Sequence, residues 1–251
     1  MRNTERFSQT VGHYQQYRPS YPQIMIDFLL EQKVLDKDKV VADIGSGTGI
    51  FTQQLLTLGA KVFAVEPNAP MRESAQQQLG TYPYFVSVNG TAETTTLKDS
   101  SVDVITVATA FHWFNREACK KEFKRILRNN GNVLLLWNLR LPQLSALLQS
   151  YDDLLQKYCL NYSGIPSQKI AENETLAFFA KDSVTAYEFE NQQIFDLKGL
   201  VGRLRSTSYA LTPDQDKYDN MIEDLTHLFY QYQTNGQVIF PYTTKLYLGK
   251  L

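Results

Sequence analysis

Asp43, Gly45, Gly47 and Gly49 carry the clearest chemical signal in this sequence. They lie in the run Val40-Val41-Ala42-Asp43-Ile44-Gly45-Ser46-Gly47-Thr48-Gly49-Ile50-Phe51, an apolar stretch that ends in an acid and continues with glycine at every second position. Glycines allow positive φ and let a ligand lie against the main chain. The helix-like sequence that follows would turn its free N–H groups toward that ligand. A dinucleotide turn calls for G-x-G-x-x-G, but here the spacing is G-x-G-x-G and Ile50 stands where the third glycine would be. Asp43, two residues before the first glycine, would repel a pyrophosphate and would tolerate a cationic cofactor with an amino-acid end. Glu66 closes the next apolar run, Lys61–Val65. A carboxylate there can accept both hydroxyls of a ribose, so the cofactor expected is a nucleoside.

Other residues could serve a reaction beside this turn. His112, within Ala108-Thr109-Ala110-Phe111-His112-Trp113-Phe114, could act as a base or as a hydrogen-bond donor to a substrate. Arg140 leaves the end of the fifth strand, on the sheet edge where ligands bind in α/β folds. Arg203 and Arg205 could hold a carboxylate or phosphate bidentately. No His/Cys/Asp/Glu cluster has metal-ligand spacing, and neither a nucleophile elbow nor a Walker loop is present.

The elements needed to position these residues alternate between strand and helix, which predicts a parallel sheet with crossover helices. Strands are expected at Val40–Ile44, Lys61–Glu66, Tyr84–Val88, Val102–Ala108 and Asn132–Trp137, the last after an Asn129-Asn130-Gly131 turn. Helices are expected from Pro22 to Glu31, from Pro70 to Leu79 with Asn68 as cap, and from Asn115 to Leu127 with Asn115 as cap. Beyond Trp137 the reading is helix over Leu141–Tyr162 and Ala171–Ala180, strand over Ser183–Phe195 and a short helix over Leu197–Ser206. A helix capped at Thr212 with Pro213 in its first turn then runs to Tyr232, and Val238–Leu248 is the last strand.

The chain has 251 residues, 43% hydrophobic and 20% charged, with 25 basic and 26 acidic side chains for a net charge of −1. This fits a globular protein with a sizeable core and gives no general electrostatic case for nucleic acid or an anionic membrane. The basic cluster Lys120, Lys121, Lys124, Arg125 and Arg128 reads as the solvated face of an amphipathic helix. Cys119 and Cys159 fit no disulfide framework or zinc spacing. The polar N-terminus precedes no apolar signal core, and no apolar run is long enough to cross a bilayer, so a cytoplasmic protein is expected.

The D-x-G-x-G-x-G motif, the following Glu66 and the element order resemble the class I S-adenosylmethionine-dependent methyltransferases. The wording Ala-Phe-His-Trp-Phe and the Tyr/Arg/Pro-rich segment from Phe7 to Pro22 are similar to a small-molecule branch of that family, the trans-aconitate methyltransferase-like proteins. The resemblance implies a Rossmann-like, mostly parallel seven-stranded sheet with an antiparallel last strand. It divides the chain into an N-terminal flap and helix (1–35), a cofactor-binding core (36–138), a helical substrate cover (139–182) and C-terminal elements completing the sheet (183–251). S-adenosylmethionine would lie against Asp43, Gly45, Ser46, Gly47, Thr48, Gly49 and Glu66, with Pro67 and Met71 flanking the adenine. Ala92 would leave room for the ring and Glu93 would accept from its amine. Thr109 would pass the methyl donor. Tyr14 and Tyr17 would offer ring faces from the flap, and Arg18 would pair with the cofactor's carboxylate or an acidic substrate. His112 and Tyr17 are the candidates for catalysis; Trp113, Arg140 and Arg205 are the candidates for substrate contact. The resemblance implies no metal, and it implies a small-molecule acceptor rather than nucleic acid. A nicotinamide-dependent oxidoreductase is the competing enzyme, and a non-catalytic cofactor-binding module is the competing non-enzyme.

Overall fold

Five apolar runs give the parallel strands of a single sheet, with helices after all but the third, which leads through a loop directly to the fourth. A computed structural model describes residues 17–159, 162, 172–207 and 209–251. In chain order the elements are α1 (Gln23–Glu31), β1 (Val40–Ile44), α2 (Ile50–Thr57), β2 (Lys61–Val65), α3 (Ala69–Leu79), β3 (Phe85–Val88), β4 (Val102–Ala108), α4 (Arg116–Ile126) and β5 (Leu127–Leu139). Then come α5 (Ala146–Tyr158), α6 (Glu172–Leu176), β6 (Val184–Phe195), α7 (Leu197–Arg205), α8 (Tyr218–Tyr232) and β7 (Val238–Gly249). The strands lie in the order β3-β2-β1-β4-β5-β7-β6. β1 to β5 pair in parallel, and β7 enters antiparallel to both β5 and β6. This is the Rossmann-like sheet the sequence led us to expect.

Strand alternation divides the core between two faces. Val41, Val62, Val104, Leu134 and Leu136 pack with α1 and α2 on one side. Ala42, Ile105, Val133 and Leu135 pack with Cys119, Phe123 and Ile126 of α4 on the other. A third core joins α5, α7 and α8 to the far ends of β6 and β7. The C-terminal half therefore closes over the edge where the parallel strands end.

Several local expectations need correction. Asn129-Asn130-Gly131 makes no turn between helix and strand. β5 begins at Leu127, paired with Val102, and resumes at Asn132, paired with Val104, with an irregularity between. Asn130 takes a φ of +66° within it, so the turn-forming residues are absorbed as a bulge. Thr212 does not cap a helix: its hydroxyl donates to Asp214, and α8 starts at Tyr218. The helix expected over Leu141–Tyr162 is shorter, because Ser145 caps α5 by accepting from the Leu148 N–H and a 3₁₀ turn at Pro142–Leu144 precedes it. The helix expected over Ala171–Ala180 is described only as Glu172–Leu176. The caps at Asn68 and Asn115 are present, accepting from Met71 and Ala118.

Residues 17–21 form a strap across the sheet edge. Asn138 Nδ2 donates to the carbonyls of Pro19 (3.4 Å) and Ser20 (3.2 Å), and Asn191 Nδ2 donates to Ser20 (2.8 Å). Gln193 donates to the Tyr17 carbonyl, and Arg18 Nη2 donates to the carbonyl of Ser206. Gln54 brackets the Tyr21 backbone, accepting from its N–H and donating to its carbonyl. Asn138 Oδ1 also accepts from the buried Thr244 hydroxyl and from Asn191. Asn138→Ala should therefore lower the unfolding free energy by about 1–3 kcal/mol, since it leaves buried partners unsatisfied. Urea unfolding measures this; an unchanged midpoint would show that the strap is held elsewhere.

Candidate functional site

The site grows from the turn between β1 and α2. Gly45, Gly47 and Gly49 all have positive φ, at +69°, +58° and +86°. Their surroundings differ. A Cβ on Gly49 would stand 2.5 Å from Leu79 Cδ1 of α3, so this glycine is a packing requirement. A Cβ on Gly47 would meet only the Met71 sulfur, at 3.8 Å, so the loop is open at its middle. Ser46 Oγ and Thr48 Oγ1 flank this opening, and both are buried without a hydrogen-bond partner. Buried hydroxyls left alone are uncommon and invite an explanation.

Glu66 closes the far wall. Its Oε2 accepts from the Gly47 N–H at 2.9 Å and its Oε1 from the Asn68 N–H at 2.8 Å. A carboxylate oxygen can accept twice, so each retains capacity for a sugar hydroxyl. Burial pushes the Glu66 carboxyl up, while these two N–H groups and the Arg72 guanidinium oppose the shift. Arg72 Nη1 donates to the Glu66 and Pro67 carbonyls, fixing the strand end on which both residues sit.

Asp43 is the next-to-last residue of β1, just before the loop. It is 1% exposed, and its carboxylate accepts from the hydroxyls of Thr52 on α2 (2.6 Å) and Thr106 on β4 (2.8 Å). Burial raises its carboxyl to about 6. Its place is thus beneath the glycine turn, bracing it. Ala92 is buried in the core. Glu93 accepts from the Asn115 N–H at the start of α4 (2.9 Å) and so shares in that helix entry.

β4 ends at Ala108, and Thr109 follows with φ +57°. A β-branched residue in the left-handed region is strained. Tyr21 of the strap holds it, through a 3.0 Å bond between the two hydroxyls. His112 and Trp113 come next in a 3₁₀ turn, their rings 4.7 Å apart, with Trp113 37% exposed. His112 Nδ1 is buried without a partner, and burial lowers the imidazole to about 4. At neutral pH the ring is therefore uncharged and a weak base.

Tyr17 lies against α7, where a Cβ on Gly202 would strike its ring. Tyr14 lies outside the described residues. Arg140 is buried behind the strap, bonded to Asp152 and Tyr162. Arg205 bonds the Tyr218 hydroxyl. In the basic cluster on α4, Arg125 pairs with Glu122 and Asp99, and Arg128, just beyond on β5, pairs with Asp103. The structure thus brings the glycine loop, Glu66 and Met71 together, and places Thr109 and His112 along the same strand-end edge. The Tyr21–Thr109 contact was not foreseen, because no spacing rule joins residues so far apart. Among the described residues, no His/Cys/Asp/Glu group could hold a metal ion, and no helix is long and apolar enough to cross a membrane.

The parallel sheet with one antiparallel strand inserted carries a glycine loop and a carboxylate side by side at the ends of its first two strands. A methyltransferase domain model matches residues 42–135, the segment from β1 to β5. An uncharacterized methyltransferase from Mycobacterium tuberculosis is 40% identical over 134 residues, covering 53% of this chain and 52% of that relative. The chain thus matches about half the length of this relative. An uncharacterized methyltransferase-like protein from Schizosaccharomyces pombe is 25% identical over 240 residues, 95% of this chain and 92% of the relative. A solved structure from Anabaena variabilis, described as a methyltransferase from an antibiotic biosynthesis pathway, shares the fold with a TM-score of 0.65 and 24% identity, covering 94% of this chain and 100% of that one. From β1 to β5 the chain is thus similar to methyltransferases, and the S. pombe relative extends that similarity over nearly its whole length.

Opposed titrations should mark this site. The raised Asp43 carboxyl makes the folded state more stable below pH 4, an advantage lost as pH rises to about 6. The lowered His112 has the opposite sign: its contribution is present above pH 6.5 and lost as pH falls toward about 4. The two contributions oppose each other across this window. Asp43→Asn should expose a fall in melting temperature on acidification from pH 6.5 to 4, and His112→Gln a rise. Parallel curves for all three proteins would contradict both assignments.

Proposed function

We propose that the chain binds S-adenosylmethionine in the glycine loop and transfers its methyl group to a small-molecule acceptor. The observation that carries this reading is the open face of Gly47, bordered by two buried hydroxyls without partners and by a carboxylate with spare acceptor capacity. Those groups fit a nucleoside with an amino-acid tail. Glu66 would take the ribose hydroxyls, Met71 and Pro67 would line the base, and Ser46 and Thr48 would meet the tail or its bound water. When bound, S-adenosylmethionine supplies a methyl group on a positively charged sulfur, a poised leaving group that needs no metal.

The chain's own contribution is position and dryness. The 17–21 strap covers the strand-end edge and keeps water off it. Tyr21 holds Thr109 in its strained conformation, which turns the chain after β4 back across the edge and presents Ala110 and His112 there. A neutral His112 can orient an acceptor through Nδ1; deprotonating a weakly acidic acceptor would need a stronger base. An oxygen acceptor already ionised in water needs none.

Calorimetry with S-adenosylhomocysteine tests the binding half. Glu66→Ala should weaken binding by about 1–3 kcal/mol, from loss of a charged acceptor. Gly47→Val should abolish it, and Gly47→Asn, which tolerates the left-handed conformation, should weaken it while the far-ultraviolet spectrum stays native. NAD should give no heat. Unchanged affinity in both Gly47 variants would overturn the reading. A labelled-methyl screen against fractionated metabolites tests the transfer half.

A further inference from the structure

Arg203 is 5% exposed and Arg140 4% exposed, which is unusual for guanidinium groups. Arg203 Nε donates to the Tyr242 hydroxyl at 3.0 Å, and its Nη1 lies 3.3 Å from Ser206 Oγ. Among the described residues it has no carboxylate partner. Arg140 reaches Asp152 and Tyr162 through Nη2 alone, and its Nε and Nη1 are buried without any partner. Its guanidinium lies 4.8 Å from the ring centroid of Tyr151, a fully buried tyrosine whose hydroxyl also has no partner. Both arginine charges act on that hydroxyl.

The charge count is uneven. Two buried guanidiniums stand against one carboxylate, Asp152. That carboxylate is already engaged by Arg140, Tyr162 and Gln156. An ion out of water is costly unless its donors are met, and a buried unsatisfied donor adds to that cost. Here a positive charge and three polar atoms lack partners in one place. Their donors match the planar fork that guanidiniums offer to carboxylate or phosphate oxygens.

The position also suits a reaction partner. Arg140 directly follows β5, the strand beside β4 and Thr109. Tyr242 lies just past the last β5–β7 pair, Leu139 with Thr243, at the same end of the sheet. The strap joins the two regions, running from Tyr21 on Thr109 to Arg18 on the Ser206 carbonyl beside Arg203.

We propose that Arg140, Arg203 and the Tyr151 hydroxyl form a seat for an oxyanion, a carboxylate or phosphate group carried by the methyl acceptor. That the anion belongs to a methyl acceptor rests on the proposed function; the seat itself does not.

The test is calorimetric titration of the protein, bare and saturated with S-adenosylhomocysteine, with succinate, benzoate and phenyl phosphate, and with benzamide as the neutral control. At least one anion should bind with submillimolar affinity and benzamide should not. Arg203→Met and Arg140→Met should each weaken that anion by tenfold or more, Arg203→Lys less, and Tyr151→Phe several-fold. Which anion binds separates carboxylate from phosphate. Arg203→Met should also hold or raise the melting temperature, because a buried unpaired charge is replaced by an apolar chain of similar length. If it fails to fold, Tyr151→Phe and Arg203→Lys decide. No anion binding to either form of the wild type, or binding indifferent to all four variants, would overturn the seat. Failure of S-adenosylhomocysteine to bind while an anion does would instead remove the cofactor reading and leave the seat standing.

Discussion

A buried carboxylate beneath a glycine turn holds this site in shape. Asp43 accepts hydroxyl bonds from Thr52 on the helix after the turn and from Thr106 on the neighbouring strand. It thereby locks three elements at the point where the main chain must stay bare. The turn itself is held by main-chain bonds, Gly49 N–H to the Ser46 carbonyl among them. The Gly47 N–H is aimed at Glu66, and the Gly45 and Ser46 N–H groups reach the Val65 carbonyl. The burial that makes the brace rigid also makes it costly, which is why the carboxyl titrates near 6.

The second half of the molecule has a core of its own. α5, α7 and α8 share a core with the far ends of β6 and β7, separate from the two cores that flank the sheet. The strap bonds to this unit largely through its backbone carbonyls. Asn138, Asn191 and Gln193 donate those bonds, and the strap's own Arg18 and Tyr21 side chains add contacts to the Ser206 carbonyl and to Thr109.

The β1–β5 half was legible because its signals are local. A glycine spacing, an acid at a strand end and an asparagine cap each sit within a few residues of what they control. The β1 and β4 boundaries read directly from apolar runs. Where reading failed, a distant partner had decided. Asn129-Asn130-Gly131 has every mark of a turn, yet pairing of Leu127 with Val102 extends the strand through it. Thr212-Pro213 has the form of a helix start, but its hydroxyl found Asp214 and the helix began later. The type and place of Asp43 were legible in the sequence; its bonds to Thr52 and Thr106 were not. The same holds for Arg140 and Arg203: sequence supplies cations, and only burial shows that their donors lack partners.

The inserted strand has one more consequence. β7 is the last strand in the chain yet lies inside the sheet, between β5 and β6. During synthesis β6 leaves the ribosome with no neighbour to pair with, and one flank of β5 stays open as well. The nucleoside half can assemble from the nascent chain, since β1 to β5 are consecutive and pair among themselves. The cover cannot: it must wait for Val238–Gly249 to slot between two waiting edges. Long, unpaired edges invite association with other chains, so the interval before that closure is when this protein is most exposed to misassembly and most in need of a chaperone.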